Sequence, residues 1–143
     1  MENADQGGSV MKSDKISKRD MKALLRSQQG EADAVLMYEK LAAKVRDPED
    51  AAAFRRLASD EARHESIFKA YTGVELAPKK TKAIFVPLLY KLLGKEKVYP
   101  LIANGEYKAV RKYKPVVKRF PDVKNVQDDE QKHGDAVLGL LKK

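Results

Sequence analysis

Two copies of one pattern carry the chemistry of this chain: Asp60-Glu61-Ala62-Arg63-His64 and Asp129-Glu130-Gln131-Lys132-His133. In each, a glutamate and a histidine three residues apart share one face of a helix. The protein has 2 histidines, and each closes one of these patterns. A second matched pair accompanies them, with Gly30-Glu31, Ala34-Val35 and Tyr38 recurring at the same spacing as Gly105-Glu106, Ala109-Val110 and Tyr113. The order Glu, Glu-x-x-His, Glu, Glu-x-x-His suits a dinuclear metal centre inside a four-helix bundle. There two helices supply one glutamate each and the other two supply a Glu-x-x-His pair.

The expected metal ligands are therefore Glu31, Glu61, His64, Glu106, Glu130 and His133. Four carboxylates buried at one level of a bundle would repel one another, and each would cost several kcal/mol or take up a proton. Two divalent cations balance the four negative charges. Oxygen and nitrogen ligands without sulfur suit iron(II) or manganese(II), with zinc(II) as a competing occupant. Two of the glutamates would bridge, two would be terminal, and each metal would take one histidine. Tyr38 and Tyr113 lie two turns beyond a ligand glutamate, either as core packing or as hydrogen-bond donors to ligand carboxylates with a redox role. Asp60 and Asp129 are either exposed charges or carboxylates that each hold the histidine of the other motif by its Nδ1–H.

The elements that must position these groups can be read from the spacing of apolar residues. Ser17 to Asp20 forms a helix start, and a first long helix is expected to about Arg46. Its inward seam is Leu24, Gln28, Glu31, Val35, Tyr38, Ala42 and Val45, alternating steps of four and three as in a lengthwise-packed bundle. Asp47 and Pro48 stop it and start a second helix, which runs to about Tyr71 with Gly73 as a left-handed cap. The second seam is Phe54, Leu57, Glu61, His64, Phe68 and Tyr71. Glu31 lies about 15 residues before the turn and Glu61 about 13 after it, so at 1.5 Å per residue the two carboxylates meet at one level.

A short helix is expected from Pro87 to Leu93, capped by Gly94, within a crossover from Val74 to Glu96. The crossover either roofs the bundle, forms a subunit contact, or lays its apolar and lysine-rich surface on a membrane. A third helix should start near Val98 to Pro100 and carry Tyr99, Ile102, Glu106, Ala109, Tyr113, Val116 and Phe120 inward. Pro115 should kink it. A fourth, opened by Pro121 and Asp122, carries Val123, Val126, Glu130, His133, Val137 and Leu140. Glu106 sits about 14 residues before Pro121 and Glu130 only about nine after it. This mismatch, roughly 7 Å at helical rise, would have to be absorbed around Pro115.

At 143 residues the chain suits one domain, expected over 17–143 behind a mobile tail over 1–16. Its 35% charged and 43% apolar residues describe a globular protein. The absence of cysteine excludes a disulfide framework, a zinc ribbon, an iron–sulfur cluster and a rubredoxin-type iron site within it. Residues 1–13 lack the apolar core of a signal peptide, and no run of 18 apolar residues occurs, so a cytoplasmic location is expected. The net charge of +8 raises nucleic acid as a partner. The lysines are dispersed and not interleaved with aromatics, so no nucleic-acid platform is expected.

The motifs around Glu31, Glu61, His64, Glu106, Glu130 and His133 resemble the rubrerythrin branch of the ferritin-like superfamily, from about Ser17 to the C-terminus. More narrowly, Tyr71 to Pro78 and Leu101 to Glu106 resemble the rubrerythrin-like domains attached to membrane iron and manganese transporters of the vacuolar-iron-transporter type. The resemblance implies an all-α, ferritin-like antiparallel four-helix bundle, with the short extra helix in the crossover between its second and third helices. It also implies two iron ions, cycling between Fe(II) and Fe(III) and bridged by oxide or hydroxide when oxidised.

Rubrerythrins reduce peroxide and use an additional glutamate on the third helix; Ala109 stands at that position here. The expected activity is oxidation of Fe(II) with O2 or hydrogen peroxide, supported by an external electron donor. The alternative is a non-catalytic module that binds, senses or delivers iron or manganese for a membrane metal transporter. A homodimer is expected in either case.

Overall fold

Ser17 accepts a hydrogen bond on its hydroxyl from the Asp20 backbone N–H at 3.1 Å, and from that cap the chain enters its first helix. The computed structural model describes residues 15–142, so most of the tail expected over 1–16 lies outside the described residues. Helix α1 spans Lys18–Lys44, and α2 spans Pro48–Thr72. Asp47 caps α2 by accepting from the Glu49 N–H at 2.8 Å, with Pro48 in the first turn. Gly73 closes α2 at φ 69°, a left-handed conformation that costs glycine little.

After an extended strap over 74–80, helix α3 spans Thr81–Leu93, α4 spans Lys95–Arg119 and α5 spans Val123–Gly139. A 3-10 turn, Leu140–Lys142, follows. Among the described residues all regular structure is helical. None of these helices is long and apolar enough to cross a membrane.

Two boundaries differ from expectation. Helix α3 begins at Thr81, with Pro87 buried inside it and not at its start. Pro87 removes one backbone hydrogen bond, but Ala83, Pro87, Val86 and Leu89 together supply an inward face that holds the turn before it in place. Helix α4 begins at Lys95, because the single residue Gly94, at φ 81°, both ends α3 and precedes α4. Helix α4 also runs without interruption through Pro115 to Arg119. The register mismatch between α4 and α5 nevertheless closes. Gln127 donates to the Val110 carbonyl at 2.9 Å, so the offset is already present at that level and is taken up between there and the Phe120–Asp122 turn.

Direct contacts fix the topology. Glu31 meets Tyr113 while Tyr38 meets Glu106, so α1 and α4 are antiparallel. His64 meets Asp129 while His133 meets Asp60, so α2 and α5 are antiparallel as well. The result is a ferritin-like bundle with α3 in the crossover, as the sequence implied. The strap is pinned along α1 by side chains: Gln28 Nε2 donates to the Val74 carbonyl at 2.7 Å and Gln29 Nε2 to the Ala77 carbonyl at 2.9 Å. Asp33 accepts from the Lys79 N–H at 2.7 Å.

The seams pack as two apolar clusters with a polar layer between them. One cluster gathers Tyr38, Leu41, Phe54, Tyr99, Ile102 and Val137; the other gathers Leu24, Phe68, Tyr71, Tyr113, Val116 and Val126. Tyr38 stacks on Phe54 and Phe54 meets Tyr99 edge-on, with ring centroids 5.8 Å and 5.2 Å apart. Val35 and Ala109, both expected on the seam, are only half-buried.

Candidate metal centre

All six sequence-predicted ligands are buried in that polar layer: Glu31, Glu61, His64, Glu106, Glu130 and His133. Each side chain is placed by its helix, Glu31 from α1, Glu61 and His64 from α2, Glu106 from α4, and Glu130 and His133 from α5. His64 Nδ1 lies 3.0 Å from Glu31 Oε1, 2.9 Å from Glu61 Oε1 and 3.4 Å from Glu130 Oε1. His133 Nδ1 lies 3.3 Å from Glu130 Oε1, 3.4 Å from Glu61 Oε1 and 3.6 Å from Glu106 Oε1. The two imidazoles face each other with centroids 5.6 Å apart.

These atoms form two overlapping groups that could each hold a metal ion. One is Glu31, Glu61, His64 and Glu130, the other Glu61, Glu106, Glu130 and His133, with ligand atoms within 4.8 Å of one another. Glu61 and Glu130 belong to both, the position expected of bridging carboxylates.

The outer nitrogen of each ring is held by the opposite motif. His64 Nε2 meets Asp129 Oδ2 at 2.8 Å, and His133 Nε2 meets Asp60 Oδ2 at 2.9 Å. The crossed pairing agrees with the sequence reading, but the nitrogen does not: it is Nε2, where Nδ1 was expected. Each ring is turned so that Nδ1 faces the carboxylate layer, where His64 Nδ1 meets Glu31, and Nε2 is left to reach the neighbouring helix. An imidazole that donates Nε2–H to a carboxylate presents its Nδ1 lone pair inward, which fixes the tautomer a metal needs.

Arg63, which sequence reasoning passed over, joins the two aspartates. Its guanidinium lies 2.9 Å from Asp129 Oδ2 and 3.3 Å from Asp60 Oδ1. Its place beside His64 was visible in the motif, but its partner on α5 depends on the fold. The tyrosines also cross between the two halves of the bundle. Tyr38 donates to Glu106 Oε2 at 2.9 Å, and Tyr113 donates to Glu31 Oε2 at 2.6 Å.

The electrostatics are those of charges removed from water. Burial pushes Glu31 well above the usual carboxylate range, reinforced by the charges of Glu61 and Glu130. Burial pushes Glu106 up to about 7, although the nearby His133 imidazole opposes it. Burial also acts on Glu130, but the nearby imidazoles of His133 and His64 outweigh it and hold that carboxyl at about 2. His64, despite burial, is pushed up to about 12 by the adjacent carboxylates of Glu130, Glu31 and Glu61. His133 is raised further by Glu106, Glu130 and Glu61. Burial raises Tyr38 and Tyr113 as well, aided by Glu106 and Glu31 respectively.

Protons alone do not satisfy the layer. Among the described residues the buried atoms Glu61 Oε1, Glu130 Oε1 and His133 Nδ1 have no hydrogen-bond partner. They converge on the centre of the two four-residue groups. Orphaned buried acceptors cost about 1–3 kcal/mol each, and metal coordination removes that cost. The donor set present fits two divalent ions.

Compared with known protein families, residues 22–141 match the model described as rubrerythrin. No curated protein and no solved structure matches the chain.

Proposed function

The chain belongs to the rubrerythrin family, and on that premise we propose that it binds two iron ions and oxidises Fe(II) with O2 or hydrogen peroxide. The observation that carries this reading is the pair of four-residue groups sharing Glu61 and Glu130, with orphaned ligand atoms at their centre. Glu31, Glu61, His64 and Glu130 would hold one ion, and Glu61, Glu106, Glu130 and His133 the other. When bound, the pair supplies one-electron redox chemistry at two adjacent sites and a template for the oxidant.

The protein's own groups do the rest. Asp129 and Asp60 hold the imidazoles in the tautomer that frees Nδ1. Arg63 orients both aspartates and balances their charge. Tyr38 and Tyr113 donate to Glu106 and Glu31, limiting their rotation and placing a phenol hydrogen beside the centre for proton or electron transfer. The two apolar clusters close the layer off along the bundle axis on both sides. The cytoplasm is the proposed setting, with an external reductant as electron donor.

Two measurements test this. Fe(II) titration of the metal-free protein should saturate at two ions per chain. Stopped-flow mixing with peroxide should then give repeated turnover when an external reductant is supplied. A second reading, a non-catalytic iron or manganese sensing or delivery module for a membrane transporter, is favoured by Ala109, which leaves no seventh carboxylate at the centre. A single oxidation with retained iron would support that reading over the enzymatic one.

A homodimer is also proposed, through the outer face of α3. Ile84, Phe85, Leu88 and Leu92 are 62%, 57%, 46% and 68% exposed, on one side of the helix that Lys91 borders. Together they bare on the order of 500 Å² of apolar surface, near the upper limit for a monomer. Sedimentation equilibrium should give a dimer that Phe85→Glu with Leu92→Glu converts to a monomer.

A further inference from the structure

Between α1, α3 and α4 lies a half-open cavity of about 650 Å³, and its floor is the carboxylate layer: Glu31, Glu61, Glu106 and Glu130. Its size and mostly apolar lining are those of a small-molecule site, and access of O2 or peroxide does not require such a volume. Small residues open it. Gly30 and Ala34 on α1 face Gly105 and Ala109 on α4 across the gap.

The lining is ordered by polarity along the bundle axis, and α3 and α4 agree on the direction. On α4, Lys112 and Lys108 lie beyond Glu106 towards one end, while Ile102 and Val98 lie before it towards the other. On α3, Lys82 comes first and Val86 and Leu89 follow. On α1, Arg26, though not in the cavity wall, is close enough to act on Lys112. The groove thus carries cations at one end, near the level of Glu31, and apolar side chains at the other.

Among the described residues no carboxylate lies within ion-pair distance of Arg26, Lys82 or Lys112. Partial burial and the charges of Arg26 and Lys82 hold Lys112 below its ordinary range, and Glu31 is the weakest of the influences on it. Arg26, Lys82 and Lys112 crowd one another and pair with no carboxylate, an arrangement that an incoming anion relieves.

We propose that this groove binds a medium-chain carboxylic acid, its head at Lys82 and Lys112 and its chain running past Ala34 and Ala109 toward Leu89 and Ile102. From Lys112 to Ile102 is about 15 Å along α4. At roughly 1.2 Å per bond, as in an extended backbone, an acid of eight to twelve carbons covers about 8–13 Å of that length. Its head then lies near the level of Glu31, and its methylenes run past Glu106 toward the apolar end. The inference adds a ligand class to the proposed metal site, and rests on that reading only for what the chain passes over, not for binding itself.

Calorimetric titration of the metal-free protein with hexanoate, octanoate, decanoate and octan-1-ol tests it. Binding should be one to one, tightening about fourfold per methylene from hexanoate to decanoate as the apolar end fills. Lys82→Gln with Lys112→Gln should weaken decanoate at least tenfold and leave octan-1-ol unchanged. Ala109→Leu, which narrows the groove, should weaken both. Thermal melts of each variant separate these losses from misfolding.

No saturable binding of decanoate by the folded protein overturns the inference, as does binding that ignores chain length, both lysines or Ala109. Metal stoichiometry, measured separately, keeps the two readings distinct. Two ions bound without decanoate binding overturns only the ligand. Decanoate bound one to one by a chain that takes up no metal supports the ligand and removes the metal reading.

Discussion

Raising the pH should destabilise the metal-free protein steeply, and metal should remove that effect. In the unfolded chain the two histidines titrate near 6.5. In the folded chain His64 is pushed up to about 12 and His133 is raised as well; burial opposes both shifts but the surrounding carboxylates outweigh it. Between about 6.5 and the folded values, the native state therefore holds two protons that the unfolded state has lost. Stability is fully present below the unfolded pKa and falls as pH rises, by about 1.4 kcal/mol per pH unit for each histidine.

From pH 7 to pH 8 the expected loss is about 3 kcal/mol, or on the order of 10 °C in melting temperature for a chain of this size. Glu130, held at about 2, adds stability that is lost only as pH falls through that value, so it does not affect this window. Glu106, pushed up to about 7, acts in the same direction as the histidines between its unfolded value and neutrality. Metal ligation requires neutral imidazoles, so the slope above neutrality should flatten in the loaded protein. Urea denaturation at pH 7 and 8, in chelator and then with manganese(II) or zinc(II), measures both slopes. A chelated protein equally stable at the two pH values, or one with the same slope as the loaded form, would refute the account of a proton-compensated layer.

Metal uptake at pH 7 should release the 2 imidazolium protons at least, read as a buffer-dependent calorimetric enthalpy. Glu61→Ala with Glu130→Ala removes both carboxylates common to the two groups; it should abolish stoichiometric metal uptake, and unchanged metal content would count against the site. Asp60→Asn and Asp129→Asn should each weaken metal binding about 10–100-fold without large loss of helix content, measured by competition with a chromophoric chelator. Phe54→Ala, at a fully buried position between Tyr38 and Tyr99, should cost about 3–5 kcal/mol in chemical denaturation.

How much of this was legible beforehand differs from residue to residue. Glu61, His64, Phe68 and Tyr71 were placed on one buried seam, and all are buried. Ser17, Asp47 and Gly73 were placed at helix ends and all cap them, because capping depends on groups within a few residues. The errors fell where a local signal met a distant partner. Pro87 marks a helix start when read alone, yet the inward packing of Ala83 and Val86, in the turn of α3 before it, extends the helix back to Thr81. Asp122 opens α5 as expected, but its side chain accepts from Tyr71 of α2 at 3.0 Å, a partner that no local signal shows. Gly134 is buried beside the Tyr107 ring, where an added Cβ would come within 2.5 Å of it, a contact between α5 and α4 that no local signal shows.

By itself the sequence determined which residues share a helix face and which of those faces carry acid and imidazole, since a period of 3.6 residues and a cap are properties of neighbouring positions. Only the tertiary structure decided which nitrogen of each histidine turns inward, that each tyrosine serves the glutamate of the opposite half, and that Arg63 ties Asp60 to Asp129. Those contacts join residues tens of positions apart. They depend on the rotation and register of whole helices, which are set by the packing of both apolar clusters together and not by any one segment.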